Sequence, residues 1–575
     1  MADPAVAIVG AFQRALSAAF GAEFGAVDPA IRPSAHADYQ ANAALGLKAK
    51  LGKPPRDIAA AIVEKLDAPD IIERVEIAGP GFVNVTLSAE YLSRELRSVA
   101  ADPRLGVPPA EAPEVVVIDY SSPNLAKEMH VGHLRSTILG DALARSLEAL
   151  GHRVIRQNHL GDWGTPFGML IEHLLDVGES GAESSMSELK EFYQAARKKF
   201  DEDEAFADRS RRLVVMLQGG DAATLELWKR LVDGTLRYAG ELYDKLGVTL
   251  GPADVAGESF YNSMLADVAK ELRDRELAVD SDGALCVFPP GFANRDGAPL
   301  PLIVQKQDGG YGYATTDLAA IRYRLGTLHA TRVLVVVGQE QSQHLAMIFA
   351  AAKLAGWLKP PARAEHVAFG PMLGSDGKMF RTRAGASARL SDLIDEAVER
   401  AASAVAEKNP ELDAETRANV ARMVGIGAVK YADLSSDRVK GYVFDYDRML
   451  AFEGNTGPYM QYAHARIRSI FRRGDVSSVP PESIRVAAPA ERVLALALLK
   501  FPTALAGVAD DLEPHVLCTY LYDLATSFST FYEACPVLKA TTPEERLSRL
   551  ALCDLTARVI ARGLELLGIE APDRM

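Results

Sequence analysis

The sequence predicts a multidomain protein: a doubly wound, parallel-sheet α/β domain, with a small α/β domain before it and an all-α helical bundle after it. Three observations carry that prediction. At 575 residues the chain exceeds what one hydrophobic core supports. Two near-continuous apolar runs, "EVVVIDY" (114–120) and "RVLVVVG" (332–338), have the texture of parallel strands covered on both faces. From about residue 390 to the end, nearly every segment has helical periodicity.

The elements follow in chain order. Residues 1–110 read as the small α/β domain, with helices over "AIVGAFQRALSAAF" and "PPRDIAAAIVEKL". A strand pair follows in "IERVEIAGPGFVNVTLS", turning at Gly79-Pro80-Gly81. The Pro- and Ala-rich "DPRLGVPPAEAPE" (102–114) is a linker. The sheet domain occupies 111–390, with a charged helical insertion at about 170–290 whose acidic run "KKFDEDEAF" reads as a solvated helix face. The bundle, 391–575, holds "RLSDLIDEAVERAASAVAEK", "AERVLALALLKF", "VLCTYLYDLATSFSTFYEA" and "RLSRLALCDLTARVIARGLELLG".

Composition narrows the class. No apolar run reaches the ~18 residues that span a bilayer. Asp3 and Gln13-Arg14 make the N-terminal stretch an amphipathic helix rather than a signal peptide, so a cytoplasmic protein without membrane partners is expected. Cys286, Cys518, Cys535 and Cys553 form no C-x-x-C pair and read as buried thiols, and no metal site is expected among the protein's own residues. A net charge of −14 argues against broad nonspecific nucleic-acid binding but leaves room for local basic patches.

His130-Val131-Gly132-His133 stands where the strand "EVVVIDY" gives way to a helix over "HLRSTILGDALARSLEALG", with Gly151 as its C′ residue. A helix N-terminus offers free N–H groups and a positive dipole end, imidazoles add donors, and a glycine admits a flat ring close to the backbone. Nucleotide binding is the reading. The bland alternative is two capping or solvent-facing histidines. The motif is neither a P-loop nor G-x-G-x-x-G, since "GSDGKM" lacks the loop spacing and the following Ser/Thr.

"SSPNLAKEMHVGHLRST" (121–137) closely resembles the signature of class I aminoacyl-tRNA synthetases in the form carried by arginyl-tRNA synthetases. The resemblance extends through "NHLGDWGTPFG", "DGGYGYATTDLAA", "VVVGQEQSQH", "GSDGKMFRTRAG" and "FEGNTGPYMQYAHARIRSI", over essentially the whole chain. It implies a class I, Rossmann-like catalytic domain, an N-terminal module for the tRNA elbow and a helical anticodon-binding domain. "KMFRT", Lys378 to Thr382, resembles the mobile second class I signature. Arg381 stands where its second lysine is usual, and Lys127 would replace that lysine. Pro166 stands where members often have Gln.

The resemblance also implies roles. His130, His133, Lys378, Lys127 and Arg381 would serve catalysis. His130, Gly132, His133, Met372, Leu373 and Lys378 would hold ATP, with magnesium. Guanidinium recognition calls for carboxylates around a planar fork. Asp317 and Tyr313 would contact it, with Asp119 nearby, while Ser121, Asn124, His130 and Gln341 would surround the α-amino acid end. The alternative for Asp317 is a carboxylate complementing its helix N-terminus, and for Lys378 an exposed loop lysine. Tyr459, Gln461, Tyr462, Arg466 and Arg468 in the bundle, and Phe82 and Asn84 in the N-terminal domain, would contact tRNA; the alternative is that they pack and solvate. The implied reaction is attack of the arginine carboxylate on the α-phosphorus of ATP, then transfer to the 2′-hydroxyl of the terminal adenosine of tRNA(Arg), with tRNA required for the first step. A monomer is implied. The competing readings are a small-product H-x-G-H nucleotidyltransferase, a tRNA-binding protein without activity, and a glutamate or glutamine synthetase. Chain length, the presence of His130, His133 and Lys378, and "SSPN" with the Tyr313–Asp317 pair disfavour them in turn.

Overall fold

The computed structural model describes residues 3–125, 129–178, 186–374, 376–380 and 389–575. At the N-terminus, Asp3 caps helix Pro4–Phe20 by accepting from the Ala5 N–H, and Pro4 occupies the first turn, where no donor is needed. Strands β1 (Ile31–Pro33), β2 (Tyr39–Ala41), β3 (Ile72–Ala78) and β4 (Phe82–Leu87) form an antiparallel sheet in the order β1-β2-β4-β3. The expected Gly79-Pro80-Gly81 turn joins β3 to β4, with Ala78 opposite Phe82. β1 and β2, three residues each, are too short to show alternation in the sequence.

Next along the chain come β5 (Val115–Asp119), β6 (Arg153–Gln157), β7 (Ala278–Ser281), β8 (Ala284–Val287), β9 (Leu302–Gln305), β10 (Arg332–Val335) and β11 (Arg363–His366). Four of them make the predicted parallel sheet, in the order β11-β10-β5-β6. Val116, Val117, Ile118, Val333 and Leu334 are fully buried, as covered parallel strands require. From β5 the chain runs through helix Val131–Ala149 to β6 on one side; from β10 it runs through helix Ser342–Leu354 to β11 on the other. The order therefore reverses between β5 and β10. Their carboxyl ends lie side by side, Asp119 opposite Val335, and such a reversal opens a crevice for ligands.

The insertion is helical only in part. Helices Thr165–Val177, Met186–Glu202, Glu204–Gln218 and Ala222–Leu246 build a core that includes Phe167, Leu170, Phe206 and Leu231. Pro166 sits in the first turn of its helix, where a proline is tolerated. The chain then forms an antiparallel sheet, β7-β8-β9. Asp282 and Gly283 make its first turn, both at positive φ (49° and 78°), with Ser281 opposite Ala284. That is the two-residue Asp-Gly hairpin signal, present in the sequence but hidden in a stretch read as helix.

The bundle comprises helices Leu390–Lys408, Ala414–Leu434, Gly457–Gly474, Pro489–Leu499, Phe501–Asp511, His515–Ala534 and Pro543–Leu566. Among the described residues, the stretch Pro489–Asp511 is apolar and long enough by composition to cross a bilayer, which qualifies the expectation from the sequence. Half of that window is buried, and the helix breaks at Lys500 before Pro502, so it serves as a core element. All four cysteines are free and buried.

Buried charges tie the bundle to the sheet domain. Arg135, on the helix after β5, pairs with Asp433 at 3.0 Å, both essentially unexposed. Its guanidinium also donates to the Gly370 carbonyl at 2.5 Å and the Lys440 carbonyl at 3.2 Å. Removing either partner would strand a buried charge, at about 3–5 kcal/mol. Those carbonyls flank β12 (Met372–Leu373) and β13 (Tyr442–Val443), which pair in parallel, so the Arg135 cluster clamps the base of the Lys378 loop. Lys430, pulled down to about 8 by burial, donates to the Leu246 and Gly568 carbonyls and joins insertion, bundle and C-terminal segment. Arg492 reaches Asp38 at 2.7 Å and fastens the N-terminal domain to the bundle.

Candidate active site at the carboxyl ends of the parallel strands

After β5 the chain turns through Ser121 (φ 69°) and Ser122 (φ 45°), two consecutive non-glycine residues in the left-handed region. Such conformations cost about 1–2 kcal/mol each and persist only where surroundings hold them. Here the Ser122 N–H donates to Asn158 Oδ1 at 2.9 Å, and the Ser121 N–H donates to Ser136 Oγ at 2.9 Å. The strained turn throws Asn124 outward, exposed, where its segment bridges Gly161. A Cβ at Gly161 would lie 2.1 Å from Asn124 Oδ1, so glycine is what admits the asparagine.

The same turn corrects two expectations. Ser121 is buried, and its hydroxyl is engaged with Tyr243 at 2.8 Å and with Thr137 at 2.9 Å rather than facing a ligand. Asp119 is also buried and already holds a guanidinium: Arg324 donates to it at 2.6 Å, and Ser122 Oγ at 2.8 Å. Burial by itself would raise this carboxyl, but Arg324 overrides burial and holds it below the usual carboxylate range. Asp119 is thus tied through Arg324 to helix Tyr313–Gly326, the element that also carries Tyr313 and Asp317.

The two histidines cap their helix reciprocally. His130 Nδ1 accepts from the Gly132 N–H at 3.0 Å, and His133 Nδ1 accepts from the His130 N–H at 3.1 Å. The capping alternative is therefore realised in the geometry, and it has a chemical consequence. Because Nδ1 of His133 accepts, the proton of the neutral His133 ring sits on Nε2 and makes that atom an N–H donor. Burial, then the neighbouring His130, pulls His133 down to about 4, so it stays neutral at physiological pH. The Gly132 N–H at this helix start is already used by His130. A Cβ on Gly132 would lie 2.8 Å from His130 Cε1 and would push that ring out of place.

Met372 and Leu373 lie on β12, and the tight turn after it presents Lys378, exposed, with the Gly374 N–H donating to the Lys378 carbonyl. The chain returns at Arg389, which bridges His130, while the Leu390 N–H donates to the Met129 carbonyl at 3.0 Å. The histidine segment therefore meets, backbone to backbone, the start of helix Leu390–Lys408, just downstream of the Lys378 segment. Lys127 and Arg381 lie outside the described residues.

A cavity of about 1030 Å³ opens in the sheet domain, and its lining includes Trp163, Glu258, Lys306, Tyr313, Gln341 and His344. Tyr313 is 67% exposed and available to a ligand. Asp317, one helical turn on, bonds His344 Nε2 at 2.6 Å, and the His344 ring packs on Tyr313 with centroids 4.8 Å apart. Burial, then the Asp162 and Asp317 carboxylates, push Glu258 up to about 7. Burial and two neighbouring carboxylates thus favour the neutral form of this carboxyl in the empty cavity. Glu258 and His344 escaped the sequence reading. His344 closes the quoted "VVVGQEQSQH", but Glu258 follows no periodic signal and reaches the cavity only because the Asp162 loop folds beneath it, with Ser259 donating to Asp162.

In the bundle, Tyr459, Tyr462 and Arg466 share one face of helix Gly457–Gly474 at i, i+3 and i+7. Tyr462 is exposed, and Arg466 lies 5.0 Å from the Tyr532 ring centroid. Gln461 is corrected: it is fully buried, and its amide donates to the Met423 and Glu570 carbonyls, holding the C-terminal segment. Arg468 faces Asp554 and Asp573 at 3.6 and 3.5 Å, which offset its charge. In the N-terminal domain Phe82 is half-buried at the β3–β4 turn. Asn84 is buried in mid-sheet, with Oδ1 accepting from Gln40 at 2.8 Å.

Three family profiles match the chain: "tRNA synthetases class I (R), catalytic domain" over residues 96–446, "DALR anticodon binding domain" over 460–575, and "Arginyl tRNA synthetase N terminal domain" over 7–87. Among curated relatives, the arginine–tRNA ligase of Thermobifida fusca (strain YX) is 58% identical over 578 residues, covering 100% of both chains. That of Cellvibrio japonicus (strain Ueda107) is 54% identical, covering 94% of each. Among solved structures, the arginyl-tRNA synthetase of Plasmodium falciparum superposes with a TM-score of 0.83 at 30% identity, covering 99% of each chain. The Thermus thermophilus arginyl-tRNA synthetase gives 0.78 at 28%, covering 99% of this chain and 100% of that one.

Proposed function

The chain belongs to the arginyl-tRNA synthetase family, ligating arginine to its tRNA with ATP, and from that premise we propose how its own residues divide the work. The observation that supports the division most is the meeting of Met129–His130 with Arg389–Leu390, which brings the chain just downstream of the Lys378 segment against the histidine turn that follows β5.

Arginine lies along the cavity. Tyr313, Asp317 and Glu258 take the guanidinium, and Asn124 and Gln341 take the α-amino acid end. ATP lies at the histidine turn, with the Nε2–H donors of His130 and His133 on its phosphates, Gly132 beneath the nucleoside, and Met372 and Leu373 beside it. Lys378 approaches from the loop, and Lys127 and Arg381 join it by family resemblance. The arginine carboxylate is ionised at neutral pH and attacks the α-phosphorus without a general base. Catalysis is alignment plus stabilisation of charge on the α-phosphate and the departing pyrophosphate. Magnesium arrives with the nucleotide phosphates. The turn supplies N–H and ammonium donors, which suit phosphate oxygens, and among the described residues no group of three His, Cys, Asp or Glu could cage an ion. The terminal 2′-hydroxyl of tRNA then attacks the activated carbonyl, loses its proton, and AMP leaves. Tyr459, Tyr462 and Arg466 supply stacking and cationic surface for the anticodon loop, and Phe82 for the elbow. We place the enzyme in the cytoplasm, as a monomer.

ATP–pyrophosphate exchange tests the reading. Exchange is expected with arginine alone among the amino acids, and only when tRNA(Arg) is present. Exchange with another amino acid would overturn the pocket assignment, and exchange without tRNA would overturn the coupling.

The Glu258 shift gives a pH dependence. Its carboxyl is protonated below about 7 in the empty site, whereas the guanidinium carries charge at every relevant pH and prefers the ionised carboxylate. The KM for arginine is expected to fall as pH rises from about 6 to about 8, by up to about tenfold per unit below the pKa. Glu258→Gln should flatten that profile and weaken arginine binding. A wild-type KM that is flat across this range would contradict the role.

A further inference from the structure

We propose that His344 is a positioning and specificity residue for arginine, holding the Asp317 carboxylate in the orientation that receives the guanidinium. The proposal rests on the reading of Asp317 as a guanidinium contact. His344 belongs to helix Ser342–Leu354, directly after the Gln339–Gln341 turn, whereas Asp317 and Tyr313 belong to helix Tyr313–Gly326. One imidazole, itself in the cavity lining, touches both residues: Nε2 lies 2.6 Å from Asp317 Oδ2, and the ring packs against Tyr313 at 4.8 Å. Among the described residues, no other side chain is hydrogen-bonded to the Asp317 carboxylate.

An aspartate χ2 torsion is broad, so a half-buried carboxylate without a partner samples many orientations. Fixing Oδ2 through the His344 N–H leaves Oδ1 as the acceptor and sets the plane in which a planar N–H fork must lie. The ring face at the same time sets the orientation of Tyr313. Because Gln341 is three residues away on the same turn-and-helix unit, the group that orders the guanidinium end is rigidly linked to the group at the α-amino acid end. A shift of one end then carries the other with it, which is how a site keeps the carboxylate aligned for attack.

Steady-state aminoacylation with saturating tRNA(Arg) tests this, on His344→Phe, His344→Gln, His344→Asn and Asp317→Asn, with thermal melting of each full-length protein. Phenylalanine keeps the ring on Tyr313 and loses the hydrogen bond. Glutamine places an amide N–H at the reach of Nε2, and asparagine is too short to bridge. His344→Phe and His344→Asn are expected to raise the KM for arginine about tenfold, with the KM for ATP within about twofold of wild type. His344→Gln should recover most of the loss, and melting temperatures should hold. If His344→Phe does not fold, His344→Asn carries the comparison. An unchanged arginine KM, failure of the glutamine rescue, or an equal rise in the KM for ATP would overturn the proposal. An unchanged arginine KM in Asp317→Asn would instead sink the reading of Asp317 itself, whatever His344 does.

Discussion

His133→Ala is expected to lower kcat for aminoacylation by about 10²–10³-fold, the effect of removing one preorganised donor from developing negative charge. The KM for arginine should change little, because His133 is not placed at the amino acid. The substitution also removes half of a reciprocal helix cap, so stability should fall by about 1 kcal/mol with the fold retained. The two effects can be separated. His133→Asn keeps an acceptor near the Nδ1 position and loses the outer donor, so it should restore the melting temperature and leave the rate low. His133→Gln should do the reverse. Rate and melting temperature that rise and fall together across the three variants would show that His133 acts only as a cap.

Asp317→Asn is expected to raise the KM for arginine by about 10–100-fold, with the KM for ATP unchanged. It replaces a charge-assisted contact worth about 1.5–3 kcal/mol with a neutral amide that also presents donors to a ligand composed of donors. Steady-state kinetics with each substrate varied in turn checks this. Equal rises in both KM values would mean that the change disturbs the helix and not the pocket. The alternative, that Asp317 only complements its helix N-terminus, predicts a small loss in melting temperature and intact kinetics.

Much of the site was legible because its signals are local. A strand of Val115 to Asp119 followed by two histidines around a glycine marks a ligand-binding junction without knowledge of any distant residue. The same holds for Lys378 among its glycines, and for Tyr313 and Asp317 one helical turn apart. The misses are equally specific. Asp119 was expected near a substrate guanidinium but meets that of Arg324, 205 residues away in sequence. Gln461 sits between two tyrosines suited to RNA, yet it faces inward and holds Met423 and Glu570. Arg135 follows the histidine motif closely, and nothing near it announces that Asp433, 298 residues away, will bury its charge. Arginine is seldom buried unless paired, so its burial cannot be read before the partner is known.

The sequence alone determined the class of chemistry, the parallel sheet, the helical bundle and the candidate segments for the substrates, because hydrophobic period and short-range spacing set local conformation. Only the tertiary structure decided which polar side chains remain for ligands and which are consumed in holding the fold. That choice depends on what packs opposite. Asp119 and Asp317 are both carboxylates of the sheet domain, but Arg324 neutralises one in the interior, while His344 holds the other half-buried.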